Sequence, residues 1–296
     1  MPNFHKDPKI TFYNGANFKR SSLLTNYVPT DINEQECKEA MFKNIERIGK
    51  EQEKLYASGN HSLLIIFQAM DAAGKDSTIE NVMTGINPQG CNVVSFKQPS
   101  KEELAHDFLW RCSKDLPQRG KIGIFNRSYY EEVLVCKVHP AYIMGQNIGD
   151  HQTLDALDSN FWNNRYQSIV NFEEHLANNG YTILKFFLNV GKEEQKNRFL
   201  ARIDEEDKNW KFSFGDIEER LLWDKYMEAY ESMIVNTATE KNPWFVIPAD
   251  NKWLMQYVVS EIIKDTIKTI NPSFPDLPAS QIETLQKAKE VLQNEK

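Results

Sequence analysis

The sequence predicts an α/β fold, with one parallel sheet covered by helices on both faces. Two observations carry this. Five short apolar runs alternate along the chain with stretches whose apolar residues recur every three or four positions. The first of those runs feeds straight into a Gly-Lys loop that opens a helix. No strong linker interrupts the 296 residues, so residues 1–296 are expected to form a single domain.

Taken in order, residues 1–33 are irregular and punctuated by Pro2, Pro8, Gly15 and Pro29. They are expected to form an arm over the surface. From Glu34 to about Tyr56, the spacing of Cys37, Met41, Ile45 and Ile48 predicts a helix, with Asp31 or Asn33 as its cap. Leu63–Phe67 is β-branched and wholly apolar, as a buried parallel strand should be. A loop over Gln68–Gly74 follows, and a helix begins near Lys75. Cys91–Phe96 is the second strand, and Lys101–Cys112 a helix capped at Ser100. Ile122–Phe125 is the third strand. A helix over Phe161–Asn178 stops at Gly180, and Thr182–Leu188 is the fourth strand. Helices over Lys192–Ile203 and Asp216–Val235 flank a polar hinge, so residues 192–216 read as a helical lid. Trp244–Ile247 is the fifth strand, Lys252–Ile270 a long helix, and residues 278–296 an outer C-terminal helix.

Composition narrows the classes of function. The net charge is -7, which disfavours general binding to nucleic acid or anionic membrane. A polyanionic substrate would need positive charge concentrated in one groove. No run approaches the roughly 20 apolar residues of a membrane helix, and Met1–Arg20 has no apolar signal core. Cys37, Cys91, Cys112 and Cys136 are scattered, without metal spacing. A soluble cytoplasmic protein is expected, with no nucleic-acid or membrane partner.

The chemistry centres on Ala69-Met70-Asp71-Ala72-Ala73-Gly74-Lys75-Asp76-Ser77. This has the spacing of a phosphate-binding GxxxxGK[ST] loop, between a buried strand and a helix, where such a motif belongs. Backbone N–H groups of Ala72, Ala73, Gly74, Asp76 and Ser77 would face phosphate oxygens, with the helix dipole behind them and Lys75 among the phosphates. Two positions depart from the pattern. Ala69 replaces the first glycine, and Asp76 replaces the hydroxyl residue that helps to hold magnesium. Asp71 is then the better metal-linked carboxylate.

At this loop the sequence resembles the polyphosphate kinase 2 family. Further segments agree: Lys97-Gln98-Pro99-Ser100, leading into Glu103–Arg111; Gly123–Leu134, which contains Asn126-Arg127-Ser128-Tyr129-Tyr130-Glu131; and Trp210-Lys211-Phe212, Glu219-Arg220, Trp223-Asp224 and Pro243–Asp250. The resemblance covers residues 8–270. It implies a P-loop kinase fold similar to thymidylate kinase, with a five-stranded parallel sheet and a helical lid. It also implies Mg2+-dependent phosphoryl transfer between inorganic polyphosphate and adenine or guanine nucleotides, in a homo-oligomer. The Asn126–Glu131 wording is most similar to the subgroup that accepts both AMP and ADP. Part of the family places Asp where this chain has Asn126, a weaker magnesium ligand. Glu131 and Glu132 are both nearby as a second metal-linked carboxylate, and the sequence does not separate them.

Such a reaction needs positioning and charge neutralisation more than a general base. Arg127, directly after the third strand, should stand over the carboxyl end of the sheet, where open α/β sheets bind ligands. Arg111 would bind phosphate or neutralise a helix end. Arg198 and Arg202, four apart, share a helix face, and Lys211 follows in the hinge. Lys97 ends the second strand. The expected catalytic set is Asp71, Lys75, Arg127, Arg198 and Arg111. Lys97, Asn126, Arg202 and Lys211 join the loop in binding phosphate or nucleotide. Two other readings share parts of this pattern: an ATP-dependent nucleoside monophosphate kinase, and a non-catalytic nucleotide sensor with a degenerate loop.

Overall fold

The structure is a computed structural model. It describes residues 4–15, 18, 19, 21, 24–28 and 33–295, while the side chains of Lys208 and Lys211 lie outside the description. Asp31, one of the two expected caps, also lies outside it.

Asn33 caps the first helix, its side chain accepting from the Glu36 N–H at 2.9 Å. Helix α1 (Glu34–Ser58) then runs to Gly59, whose left-handed φ of 58° closes it. Its buried stripe includes Cys37, Met41, Ile48 and Leu55. The strands are β1 (Thr11–Phe12), β2 (Ser62–Ala69), β3 (Cys91–Ser95), β4 (Ile122–Asn126), β5 (Tyr181–Asn189) and β6 (Trp244–Pro248). The remaining helices are α2 (Lys75–Val82), α3 (Lys101–Leu104), α4 (Trp110–Ser113), α5 (Val135–Val138), α6 (Ala141–Met144), α7 (Ser159–Asn178), α8 (Lys192–Asp204), α9 (Phe214–Leu221), α10 (Trp223–Thr237), α11 (Lys252–Ile270) and α12 (Ala279–Gln293).

The sheet has six strands among the described residues, in the order β1-β6-β5-β2-β4-β3. The five expected strands are all present and mutually parallel. The sixth, β1, comes from the N-terminal segment and pairs antiparallel with β6 through Thr11↔Phe245 and Phe12↔Trp244. It covers what would otherwise be an open edge of the sheet. A two-residue strand carries no alternation to read, so its pattern is invisible in the sequence. Every residue of β2 is buried, matching its continuous apolar run. Edge strand β3 is partly open, with Val93 exposed.

Two expected helices are broken. The Lys101–Cys112 span forms only α3 and α4, because the Asp107 side chain accepts from the Leu109 N–H at 2.9 Å and turns the chain between them. The Asp216–Val235 span begins earlier, at Phe214, and divides at Leu222 into α9 and α10. Helices α1, α2 and α11 pack together on one side of the sheet, and α7 packs against α10 and β5 on the other. Leaving β2, the chain builds β3 and β4 on one side and then crosses to build β5 and β6 on the other. The carboxyl ends of β2 and β4 therefore lie at a topological switch point, where a ligand crevice opens.

Candidate phosphate-binding site

The loop after β2 turns tightly, with the Ala73 N–H donating to Met70 O at 3.2 Å. Ala72 has φ 60° and Gly74 φ 100°. Gly74 is the N-cap of α2 and offers no side-chain cap, so the first N–H groups of the helix are left facing the crevice. Glycine suits the second of these angles, which a side chain would strain. Ala69 still belongs to β2 and has no left-handed φ, so a methyl group costs nothing there.

The two departures from the usual loop pattern meet. Asn126, at the end of β4, donates through Nδ2 to Asp76 Oδ1 at 2.7 Å. The amide thus takes up a carboxylate that would otherwise face phosphate alone. Arg127 follows in a left-handed conformation, φ 66°, and its N–H donates to Phe67 O at 3.1 Å. Its guanidinium reaches Asp71 Oδ1 at 3.1 Å and Glu131 at 4.0 Å.

These charges perturb one another. Burial pulls the Lys75 ammonium below the ordinary lysine range, helped by Arg127 and opposed by Asp71, Asp76 and Glu131. Burial pushes the Glu131 carboxyl up, against Arg127 and Lys75. Glu131 in turn raises Arg127. Asp216, on α9, is also raised, first by burial and then by Asp71, with Arg202 and Arg127 opposing. Such a concentration of perturbed groups in a cleft marks a functional site.

Three spaces meet here. A cleft of about 630 Å³ is lined by the loop residues 70–77 with Lys97, Asn126, Arg127, Arg198, Arg202 and Asp216. A cavity of about 400 Å³ is walled by Phe96, Pro99, Leu104, Val135 and Tyr142, with Lys97, Arg111, Arg127, Glu131 and Glu132 as charged members. A third, of about 450 Å³, includes Asp71, Arg127, Glu131, Asp216, Tyr226 and Tyr230. Arg127 lines all three.

The structure brings Asp71, Lys75, Asp76, Ser77, Lys97, Asn126, Arg127, Arg198 and Arg202 to one cleft. Arg198, however, is spent on the protein itself. It donates to Ala72 O at 3.1 Å, Ala73 O at 2.8 Å, Ala249 O at 2.6 Å and Asp250 O at 3.0 Å, and pairs with Glu194 at 2.8 Å. Arg202 meets Asp216 at 3.5 Å. Arg111 is buried, donating to Lys97 O at 2.9 Å with its guanidinium over the Phe96 ring. Glu132 turns away from the cleft, buried against Arg165 at 2.6 Å and Gln146 at 2.6 Å. The Lys211 side chain lies outside the described residues.

Two contributors were missed in the sequence. Gln195 donates to Asp71 O at 2.9 Å. It lies three residues before Arg198 on the same helix face, and that spacing was the available signal. Asp216 reaches the site only through the fold of α9, and nothing local announced it.

Magnesium typically binds through one or two carboxylates plus substrate phosphates. Asp71 is a partly open carboxylate on the cleft wall. Among the described residues no group of three or more His, Cys, Asp or Glu is placed to hold a metal. The donor set therefore fits a magnesium ion shared with phosphate, rather than one caged by protein alone. No helix among the described residues is long and apolar enough to cross a membrane.

The family model described as Polyphosphate kinase 2 matches residues 31–275. An ADP-polyphosphate phosphotransferase of Rhodopseudomonas palustris is 51% identical over 255 residues, covering 86% of this chain and 87% of its own. An AMP/ADP-polyphosphate phosphotransferase of Meiothermus ruber is 45% identical over 241 residues, covering 81% and 85%. The crystal structure of polyphosphate kinase 2 from Arthrobacter aurescens TC1 superposes with a TM-score of 0.83 at 35% identity, covering 94% of this chain and 95% of that one.

Proposed function

This chain belongs to the polyphosphate kinase 2 family, and on that premise we propose that it transfers phosphoryl groups reversibly between inorganic polyphosphate and adenine nucleotides, carrying AMP through ADP to ATP. The observation that carries the reading is the position of Arg127. It stands between the phosphate-binding cleft and a second cavity with one apolar wall, so it sits where two phosphate-bearing substrates would meet. The relatives named for ADP and for AMP/ADP support this acceptor range.

Each residue has a role that needs no general base. The acceptor phosphate is already largely ionised near pH 7. The difficulty lies in bringing two polyanions together, which the site eases by supplying fixed positive charge in a poorly solvated cleft. Lys75 and the α2 N-terminus hold the transferring phosphate. Arg127 neutralises charge between donor and acceptor. Lys97 and Arg202, further along the cleft, follow the polyphosphate chain. Arg111 fixes the Lys97 backbone, and Arg198 braces the loop. The cavity walled by Leu104, Val135 and Tyr142 takes the nucleotide's base and ribose. Asp71 would hold Mg2+, with Glu131 the nearer of the two glutamates, and the ion would neutralise phosphate oxygens. The α8–α9 segment closes over the substrates as a lid. The four free thiols suit a reducing, cytoplasmic compartment, and the family resemblance supports a homo-oligomer.

The test is phosphorus NMR of the purified protein with AMP, Mg2+ and polyphosphate, without added ATP. ADP signals followed by ATP signals are expected, and GMP in place of AMP tests the base. Growth of ADP alone would restrict the acceptor range to AMP. No growth with polyphosphate, but ADP formed from ATP plus AMP, would make the protein an ordinary nucleotide kinase.

A further inference from the structure

Arg127 is held in a backbone conformation that a side-chain-bearing residue enters only when its surroundings over-determine it. Besides its own contacts to Phe67 O, Asp71 and Glu131, the turn that carries it is tied to a buried polar network on α7 and β5. The turn after Arg127 presents Tyr129 and Tyr130 to one carboxylate on α7. Glu173 Oε1 accepts from the Tyr129 hydroxyl at 2.9 Å and from the Tyr130 hydroxyl at 2.6 Å. Its other oxygen, Oε2, accepts from Lys185 Nζ at 2.8 Å. Lys185 Nζ also donates to the Tyr130 hydroxyl at 3.1 Å and to Thr237 O at 2.8 Å. All three ammonium protons are therefore used.

Both charges are fully buried, with side chains 0% and 1% exposed for Lys185 and Glu173. Lys185 lies in mid-sheet, in register with Ile66 of β2 and Trp244 of β6. An apolar pair of similar volume would commonly stabilise such a position as well or better. What the ion pair adds is direction. A carboxylate fixed by one lysine orients two hydroxyls at once, on consecutive residues of the turn that carries Arg127 and Glu131.

We propose that the Glu173–Lys185 pair, acting through Tyr129 and Tyr130, is a positioning device that sets the Arg127 guanidinium over the phosphate-binding cleft. Neither Glu173 nor Lys185 touches substrate. The device rests on the phosphotransfer role given to Arg127 above. Loosening it lets Arg127 relax from its left-handed conformation and turn away from the line of transfer. The fold and the polyphosphate cleft, which depend on β2 and α2, stay in place.

The experiment compares the parent with Tyr129→Phe/Tyr130→Phe and with Leu176→Ala, well below their melting temperatures. The first variant removes two hydroxyls and almost no volume. The second opens a cavity on the same helix, one turn from Glu173, without touching the network. The double phenylalanine variant is expected to lose at least fivefold in kcat with KM for polyphosphate within threefold. Leu176→Ala, destabilised at least as much, is expected to keep kcat within twofold. The inference is overturned if the double variant keeps kcat within fivefold, or if Leu176→Ala loses as much. Should the double variant fail to fold, Tyr130→Phe alone serves, with a threefold loss as the dividing line. A parent inactive with polyphosphate and nucleotides would instead overturn the functional reading.

Discussion

Glu131 shows how one residue divides its effects between stability and function. Burial holds its carboxyl above the usual carboxylate range even though Arg127 and Lys75 stand nearby. Ionising it therefore costs the folded state stability. A carboxyl whose folded pKa is raised contributes stability that is fully present below the unfolded value, about 4.3. That contribution is lost as pH rises through the folded value. Replacing the carboxylate with a neutral amide should remove the cost. Glu131→Gln is expected to melt about 2 °C above the parent at pH 7.5, with the gap narrowing as the pH is lowered to 5. Its turnover should fall meanwhile, because Arg127 loses a carboxylate 4.0 Å away. That trade is common at active sites. Calorimetry at the two pH values decides the matter: a parent more stable than the variant at pH 7.5 would show that the Arg127 pairing outweighs burial.

At the scale of elements, the Arg198 side chain ties α8 to both the phosphate loop and the end of β6, alongside the Gln195 bond to Asp71 O. Four of the Arg198 hydrogen bonds end on backbone carbonyls of Ala72, Ala73, Ala249 and Asp250. Leaving partly buried carbonyls unpaired costs on the order of 1–3 kcal/mol each, less what water recovers. Arg198→Ala is therefore expected to lower the melting temperature of the ligand-free protein by about 5 °C and to reduce turnover with it. If phosphate binding were its only work, ligand-free melting would not change and only KM for polyphosphate would rise. The spacing of Arg198 and Arg202 did place both residues at one cleft, but spacing does not say which cation is left for substrate. The same divide between local and tertiary information explains what else was legible. The five parallel strands and the loop between β2 and α2 could be read because each is a contiguous run with its own pattern. The break at Asp107 was hidden because Leu104, Phe108 and Cys112 keep helical spacing across it, while the competing side-chain hydrogen bond leaves no period. Asp216 and the Lys185–Glu173 pair could not be foreseen. Their partners stand on other elements, and a lysine in mid-strand reads as a surface position until the fold buries it.

At the scale of the whole molecule, the chain must reconcile an acidic surface with a polyanionic donor. Its 35 basic residues are outnumbered by 42 acidic ones, so attraction cannot come from net charge. It comes from placement: Lys75, Lys97, Arg127 and Arg202 all line one cleft, and a cleft with low-dielectric walls concentrates their field. Of the acids near them, Asp71, Asp76, Glu131 and Asp216 are matched against cations or an amide rather than left to repel phosphate. Beyond the cleft the acidic exterior should repel a long chain. Binding should then depend on a few close cationic contacts, which release counterions and are screened by salt. Raising NaCl from about 50 to 300 mM is expected to raise KM for long-chain polyphosphate roughly tenfold. The same change should move KM for the nucleotide much less, since that ligand carries fewer charges and, in the site proposed above, rests its base and ribose against Leu104, Val135 and Tyr142. Initial rates with each substrate varied in turn across the salt series would measure both. Equal salt dependence for the two substrates would mean that polyphosphate is not held along the cationic cleft, and the roles proposed for Lys97 and Arg202 would fail with it.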